Sequence, residues 1–230
     1  MLRLETLEIV LDGFRLAADF SVPTGQTVAI LGPSGAGKST LLDVIAGFVP
    51  AASGRILWNE TDLNGLSPGA RPVSVLFQDN NLFPHLTVAQ NAGLGLRSDL
   101  RLGPEHHQSV MDSLARVGLA GMERRKPATL SGGQRSRAAL ARMLLRGRPL
   151  MLLDEPFAAL GPALKADMLA LVADLATETG ATVLMVTHDP EDARAIAPLT
   201  CLVAEGLVQP PHGTIQLLRN PPPALRRYLG

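Results

Sequence analysis

The sequence contains a complete phosphate-binding loop near its beginning. Residues 32–39 read GPSGAGKS, which fits the pattern G-x-x-x-x-G-K-[ST] between an apolar run, TVAILG, and a helical run, KSTLLDVIAG. Glycines let successive backbone N–H groups surround phosphate oxygens, and the helix start adds a favourable dipole. Lys38 is expected to bind the β- and γ-phosphates, and Ser39 to offer its hydroxyl to Mg²⁺. The sequence therefore predicts a nucleotide site formed by Gly32, Pro33, Ser34, Gly35, Ala36, Gly37, Lys38, Ser39 and Thr40.

Three further apolar runs end in side chains that could act on a phosphate. RPVSVLFQ ends at Gln78, PLMLLDE at Asp154 and Glu155, and TVLMVTH at His188. Side chains alternate along a strand, so we expect Asp154 to hold Mg²⁺ through water and Glu155 to face the attacking water as general base. The Gln78 amide could reach Mg²⁺ or this water, and His188 could bind the γ-phosphate. Each residue alone has an ordinary structural explanation, and only their shared placement favours catalysis.

A second glycine-rich stretch, LSGGQ at residues 130–134, precedes the helical run RSRAALARMLL. Ser131 is a good N-cap, and glycines at 132 and 133 let the backbone approach an oxyanion. The stretch has no lysine and no metal ligand, so it forms only half of a phosphate site. The alternative is a cap that serves its own helix. The predicted anion contacts here come from Ser131, Gly132, Gly133 and Gln134.

The elements that must position these residues are typical of an α/β protein. Near-continuous apolar runs that alternate with helices predict a parallel sheet buried on both faces, with the carboxyl ends of its strands at one edge. The first twenty-odd residues predict a hairpin that turns at Asp12-Gly13, and GRILWNETDL predicts one further strand. From Thr87 to about Lys126 the pattern is helical and rich in loops, with Pro104 at a helix start.

Composition argues against several classes of protein. The 230 residues include 46% hydrophobic and 18% charged residues, which is an ordinary globular composition. Lys plus Arg equals Asp plus Glu at 21 each, so the basic surplus typical of nucleic-acid binding is missing. The lone Cys201 rules out an internal disulfide and favours a reducing compartment. No window of about 18 residues is both free of charge and predominantly apolar, so we expect any membrane role to require a partner.

Together, GPSGAGKST, Gln78, LSGGQ, LMLLDEP and His188 resemble, in this order and spacing, the nucleotide-binding subunit of ABC transporters. The resemblance covers essentially the whole chain. It implies a P-loop NTPase fold with a mixed, largely parallel central sheet, an N-terminal antiparallel β-subdomain and an inserted α-helical subdomain. It implies a single domain over residues 1–230, in which 1–78 and 146–230 form the core with the β-subdomain, and 79–145 form the helical subdomain with the LSGGQ motif.

The resemblance also implies ATP and Mg²⁺ as cofactors and a head-to-tail homodimer. In that family the LSGGQ of one copy closes over the ATP held by the phosphate loop of the other, and hydrolysis reopens the dimer. The implied partners are an integral membrane permease, whose short helix docks in a groove of the helical subdomain, and indirectly a periplasmic solute-binding protein; nucleic acid is not implied. The implied location is the cytoplasmic face of the bacterial inner membrane, with peripheral attachment.

Within this family, the stretch RPVSVLFQDNNLFPHLTVAQNAGLGL, together with AILGPSGAGKSTLLDVIAGF, is similar to the ATPases of bacterial thiamine importers. Import of thiamine and its phosphate esters is the function that this similarity implies. Two alternatives remain open at this stage. One is an importer of another small solute, such as iron(III), a polyamine or an oxyanion, and the other is a soluble ABC ATPase that acts on ribosomes or in DNA repair.

Two positions depart from the family pattern. The stretch AALG carries Gly161 where the family usually has an Asp that links the two nucleotide sites, so we expect looser coupling between them. The family also stacks an aromatic residue of the N-terminal hairpin on adenine. Phe14 is the candidate, but its spacing to Gly32 is short and Leu11 lies nearer the expected position.

Overall fold

The frame of the protein is a mixed sheet. The computed structural model describes residues 1–11 and 13–229, and in this part of the chain the sheet has eleven strands. They are β1 (Leu2–Leu11), β2 (Phe14–Val22), β3 (Thr27–Leu31), β4 (Ser53–Trp58), β5 (Thr61–Asp62), β6 (Val73–Leu76), β7 (Leu150–Asp154), β8 (Thr182–Val186), β9 (Leu199–Ala204), β10 (Leu207–Val208) and β11 (His212–Gly213).

Eight α-helices are found in the same described residues. They are α1 (Lys38–Ala46), α2 (Val88–Gly93), α3 (Pro104–Arg116), α4 (Gly132–Arg146), α5 (Pro162–Thr179), α6 (Pro190–Ile196), α7 (Thr214–Arg219) and α8 (Pro223–Leu229), with a short 3-10 helix at Pro127–Thr129. The predicted helix start at Pro104 is confirmed. Within residues 1–11 and 13–229, no helix has both the length and the apolar character needed to cross a bilayer.

The strand order is β5-β4-β1-β2-β10-β9-β3-β8-β7-β6, with β11 paired to β9. Strands β9, β3, β8, β7 and β6 run parallel, whereas β1 pairs with both β2 and β4 in antiparallel fashion. The predicted mixed α/β fold is therefore confirmed. The four polar-ended runs of the sequence are β3, β6, β7 and β8, so their carboxyl ends do meet at one edge.

The hairpin and strand predictions in the first 62 residues need one correction. The β1–β2 hairpin is confirmed by the pairing of Leu11 with Phe14, while Asp12 of its predicted turn lies outside the described residues. GRILWNETDL, predicted as one strand, forms β4 and β5 instead. Asn59 and Glu60 adopt left-handed φ values of 46° and 66°, as a two-residue hairpin turn requires. They reverse the chain direction between β4 and β5.

Both faces of the parallel strands are buried, which explains why those runs are nearly continuous apolar stretches. On one face Val28 and Ile30 pack with α1 and with the β1–β2 hairpin. On the other face Ala29 and Leu31 pack with α4 and α5 in a cluster that also includes α2 and α3. Residues 79–145 thus share a continuous core with the sheet. Their division from the rest of the chain as a subdomain stays a prediction.

A buried arginine holds the far end of α1, the helix that begins with Lys38. Arg71 is only 4% exposed, and its Nη1 donates hydrogen bonds of 2.8 Å to the carbonyl oxygens of both Val44 and Ile45. Gly47 has φ 87° and lets the guanidinium approach, since a Cβ there would lie 2.5 Å from Arg71 Nε. Burial lowers the pKa of Arg71, but an arginine remains charged at any physiological pH.

We expect Arg71→Met to lower the free energy of unfolding by about 2 kcal/mol, because two helix carbonyls lose a charged donor. Urea denaturation of the nucleotide-free protein measures this. Arg55→Met is the matched control, since Arg55 makes only an exposed ion pair with Glu5 and its loss should cost about 0.5 kcal/mol or less. Equal losses in the two variants would contradict the assigned role of Arg71.

Candidate nucleotide-binding site

The phosphate loop follows β3 and contains glycines at positions where a Cβ would clash with neighbouring atoms. Gly32 has φ 153°, and a Cβ there would lie 2.1 Å from the carbonyl oxygen of Val203 in β9. Gly37, the N-cap of α1, has φ 98°, and its Cβ would lie 2.3 Å from the ring of Phe14. The loop is therefore fixed between two strands by close backbone approach.

Lys38 closes the loop on itself. Its Nζ donates hydrogen bonds of 2.8 Å to the carbonyl oxygens of Gly32 and Pro33, and the residue is 6% exposed. Burial lowers the pKa of Lys38, while the carboxylates of Glu155 and Asp154 act in the opposite direction. A partly desolvated ammonium at the centre of the loop has a strong electrostatic preference for an anion.

Ser39 and Asp154 bring two oxygen ligands together from α1 and the end of β7. The Ser39 hydroxyl donates a hydrogen bond of 2.9 Å to Asp154 Oδ1. Burial raises the pKa of Asp154, the Ser39 hydrogen bond opposes that rise, and Glu155 adds to it. A hydroxyl and a partly buried carboxylate are ligands that Mg²⁺ accepts, usually together with phosphate oxygens and water. Among the described residues, no group of three or more His, Cys, Asp or Glu side chains is arranged to hold a metal ion.

The Glu155 carboxylate lies next to His188, which follows the end of β8. Glu155 Oε2 lies 3.1 Å from His188 Nδ1. Glu155 has φ 43°, a left-handed value that a residue with a side chain adopts only at a cost. Its N–H donates to the carbonyl oxygen of Val186, which fixes this turn to β8. The two adjacent carboxylates therefore have different partners, as the alternation of side chains predicts.

The loop, the helix start and Glu155 share one open cavity of about 510 Å³. Leu11 and Phe14 both line it, so either side chain can contact a base. Phe14 packs on Gly37, whereas Leu11 lies further out and is 37% exposed. The complete lining consists of Leu11, Phe14, Ser34, Gly35, Gly37, Lys38, Ser39, Thr40 and Glu155.

Gln78 lies at the same sheet edge but outside the lining of this cavity. β6 ends at Leu76, which pairs with Leu153 of β7, and Gln78 follows two residues later, as Glu155 follows Leu153. The loop that follows is held by a residue that no sequence signal identifies. Arg142 of α4 donates hydrogen bonds of 2.8 and 2.7 Å to the carbonyl oxygens of Asn80 and Asn81. Both asparagines have left-handed φ values, 62° and 43°.

LSGGQ forms the start of α4 and is likewise absent from the cavity lining. Ser131 Oγ accepts a hydrogen bond from Gln134 N at 3.3 Å, and Gln134 Oε1 accepts one from Ser131 N at 2.9 Å. This reciprocal capping box satisfies the helix's own donors. The cap predicted at Ser131 is therefore present. Contact of residues 131–134 with a nucleotide stays a prediction.

Gly161 is the N-cap of α5 and carries no side-chain cap. Nothing lies within 4 Å of the place where its Cβ would be, so an aspartate would fit here without a clash. The glycine is thus not required by packing. What it does to coupling between two sites stays a prediction.

A charged cluster holds the chain on both sides of His188. Lys165 Nζ donates to Asp189 Oδ2 at 2.6 Å and to Asp192 Oδ1 at 2.8 Å. Thr187 Oγ1 donates to Asp192 Oδ2 at 2.7 Å. The Lys165 hydrogen bond is the main reason why the pKa of Asp189 is lowered. The end of β8 and the start of α6 are therefore fixed to α5.

Comparison with known proteins agrees with this geometry. Residues 17–158 match the family model described as ABC transporter, and the chain belongs to that family. Among curated relatives, it is 60% identical over 230 residues to the thiamine import ATP-binding protein ThiQ of Ruegeria sp. (strain TM1040), with 100% of both chains covered. The protein of the same name from Cereibacter sphaeroides is also 60% identical over the full length of both chains. That from Brucella suis biovar 1 is 53% identical over 214 residues, which cover 92% of this chain and 88% of the relative.

Two solved structures have folds similar to that of this chain. One is a nucleotide-free ATP-binding cassette from an ABC transporter, with a TM-score of 0.89. The match covers 100% of this chain and 99% of the cassette. Because the sequence identity is only 24%, this likeness supports the fold and nothing further. A dimeric ATP-binding cassette in a post-hydrolysis state, bound to ADP and Pi, has a TM-score of 0.80 and 29% identity, with 93% and 99% coverage. The family predicted from the sequence motifs is confirmed.

We expect Asp154→Asn to raise the midpoint of thermal unfolding of the nucleotide-free protein at pH 7. A carboxyl whose pKa is raised in the folded state binds its proton more tightly there, so its ionisation destabilises the fold above that pKa. Asparagine removes this charge and can still accept the Ser39 hydrogen bond. The difference between variant and wild type should shrink as the pH falls and the wild-type carboxyl becomes protonated. The variant should also lose the part of the ATP-induced stabilisation that depends on Mg²⁺.

Asp43→Asn is the control for this experiment. Burial, with a contribution from Asp154, also raises the pKa of Asp43, yet Asp43 does not line the cavity. Its replacement should therefore raise the unfolding midpoint and leave the Mg²⁺-dependent response to ATP intact. A full Mg²⁺ response in Asp154→Asn would refute the assigned metal site.

Proposed function

We propose that the chain is the ATP-hydrolysing, energy-coupling subunit of a bacterial ABC importer of thiamine and its phosphate esters. The observation that carries the ATPase assignment is the convergence of the phosphate loop, the Ser39–Asp154 pair and the Glu155–His188 pair at one sheet edge. The assignment of thiamine rests on full-length relatives with 60% identity that carry the name thiamine import ATP-binding protein.

The phosphate-binding part of the mechanism follows from charge and backbone geometry. The N–H groups of the glycine-rich loop and the Lys38 ammonium bind the β- and γ-phosphates. Ser39 and Asp154 would hold Mg²⁺, with Gln78 at the same edge as a further ligand. Bound there, Mg²⁺ would neutralise phosphate charge and stabilise the leaving ADP. Bound phosphate and Mg²⁺ would give the partly desolvated charges of Lys38 and Asp154 partners of opposite charge, which would favour binding.

Glu155 and His188 act on the attacking water. Glu155 accepts a proton from the attacking water while the water oxygen forms a bond to the γ-phosphorus. The bond between the γ-phosphorus and the ADP oxygen breaks in the same step, and the products are ADP and phosphate. His188 uses Nδ1 for its contact with Glu155, so Nε2 is left for the γ-phosphate. General-base assistance is worth about 10²–10⁴-fold, which sets the expected loss on removal of Glu155.

The cavity of a single copy is open to solvent, and we infer that a second copy closes it. Residues 131–134 do not line the cavity of their own chain, and α4 presents its N-terminus, the positive end of a helix dipole, in a glycine-rich segment. A head-to-tail homodimer would place Ser131–Gln134 of one copy over the nucleotide of the other. A solved cassette with 29% identity is described as dimeric and bound to ADP and Pi, which supports this arrangement.

A groove beside β6 suits a short helix of a membrane permease. It has a volume of about 310 Å³ and lies between the end of α1, β6 and helix α4. Phe48 is 50% exposed and packs on Phe77 with ring centroids 5.8 Å apart, so the groove offers an apolar anchor. Arg142 lines the groove and also holds the loop after Gln78. Attachment to the permease would place the chain at the cytoplasmic face of the inner membrane, with a periplasmic solute-binding protein as an indirect partner.

The shared site can be tested by mixing two defective chains in the Glu155→Gln background, which retains bound ATP. Lys38→Ala removes the phosphate contact and Ser131→Arg blocks the second half of the site, so neither variant alone should form an ATP-dependent dimer. A mixed dimer contains one intact site. We therefore expect size-exclusion chromatography to detect ATP-dependent dimers only in the mixture. No dimer in the mixture, while Glu155→Gln alone dimerises, would contradict the head-to-tail site.

The transported solute can be tested in a thiamine-auxotrophic strain that lacks this chain. Uptake of labelled thiamine should fall to background and be restored by the wild-type chain. Glu155→Gln should not restore it, because turnover drops by about 10²–10⁴-fold. Uptake of iron(III), polyamines and oxyanions in the same strain serves as the control. Unchanged thiamine uptake with a loss of one of these solutes would assign the chain to another importer.

A further inference from the structure

Helix α8 lies against the edge of the nucleotide site through a small core of its own. Leu225 is fully buried against Leu202 and Ala204 of β9 and Leu217 of α7. The ring of Tyr228 packs on the same cluster, and Arg227 makes an exposed ion pair with Glu205. Strand β9 neighbours β3, which leads into the phosphate loop. This packing fixes the end of α8 next to the residues that follow β8.

The Tyr228 hydroxyl donates a hydrogen bond to the backbone carbonyl oxygen of His188. Within residues 1–11 and 13–229, no other donor reaches that carbonyl. Burial raises the pKa of Tyr228, and the carboxylates of Glu155 and Asp189 raise it further, so the phenol keeps its proton at neutral pH. The Tyr228 hydrogen bond therefore connects helix α8 to His188, one residue of the proposed catalytic pair.

The backbone of His188 is the one link between two anchored neighbours. Thr187 is buried and bound to Asp192, and Asp189 is bound to Lys165 and caps α6. The peptide group between His188 and Asp189 is held on its N–H side, where Asp189 N donates to Thr187 Oγ1 at 3.1 Å. The Tyr228 hydroxyl holds the carbonyl side of the same peptide group. Together the two hydrogen bonds restrict rotation of this group, which would otherwise swing the His188 imidazole relative to Glu155, whose Oε2 lies 3.1 Å from His188 Nδ1.

We propose that Tyr228 is a positioning residue for His188: its hydrogen bond to the His188 carbonyl holds the imidazole in register with Glu155. The proposal rests on the function proposed above, because it matters only if His188 takes part in hydrolysis. Tyr228 does not line the cavity assigned to the nucleotide. Its effect passes through the orientation of His188, and therefore falls on turnover and not on ATP binding.

Tyr228→Phe removes the hydroxyl and keeps the ring that packs on α8's core. We expect kcat for ATP hydrolysis to fall about threefold to tenfold, the range for loss of one neutral hydrogen bond, with KM for ATP changed less than about twofold. Arg227→Gln is the control: it loosens the same helix by removing an ion pair and leaves the Tyr228 hydrogen bond in place. It should keep wild-type kcat. The unfolding midpoints of both variants verify that each is folded.

A double-mutant cycle separates positioning from a general structural effect. His188→Ala keeps the backbone carbonyl but removes the imidazole, so Tyr228→Phe should have no further effect on the residual rate in that background. An equal fold-loss in both backgrounds, or an unchanged kcat in Tyr228→Phe alone, would overturn the role of Tyr228 and leave the proposed function standing. Wild-type kcat in His188→Ala would instead overturn the assignment of His188, and the proposal for Tyr228 with it.

Discussion

The site depends on two side-chain oxygens that are far apart in sequence and hydrogen-bonded in the fold. Ser39 is the second residue of α1 and Asp154 the last of β7, and their oxygens are 2.9 Å apart. This distance requires that β3 lie beside β8 and β8 beside β7, because only then does α1 begin over the carboxyl end of β7. It also requires that α1 be fixed at its other end, which Arg71 does through the carbonyls of Val44 and Ile45.

The same arrangement is electrostatically unfavourable to the protein alone. Burial lowers the pKa of Lys38 and raises that of Asp154, so each charge is less stable in the fold than in water. Glu155 adds a left-handed φ of 43° to these costs. A ligand that carries phosphates and a divalent cation offers each charge a partner. Binding to the folded chain alone would then stabilise the fold by mass action, which links nucleotide affinity to conformational stability.

The positions of the phosphate loop, the carboxylates and His188 can be predicted from sequence because each lies within a few residues of a strand end. Parallel strands with helical crossovers admit few arrangements, and all of them bring carboxyl ends to one edge. The contacts made by Arg142 and Tyr228 have no such local signal. Tyr228 is 40 residues from His188, and the contact exists only because Leu225 fixes α8 on β9. The division of GRILWNETDL into two strands was missed for a local reason, the two left-handed residues Asn59 and Glu60.

Helix α4 connects the two halves of the proposed mechanism within one rigid element. It begins at the glycines of LSGGQ, and Arg142, eleven residues after Ser131, holds the carbonyls that follow Gln78. At about 1.5 Å per residue, these two points are roughly 16 Å apart along the helix axis. Because an α-helix of this length does not compress, a displacement of its start by a partner's nucleotide must also move Arg142 or break its hydrogen bonds. Arg142 lines the groove assigned to the permease, so the loop after Gln78 and the docking surface would move with the same helix.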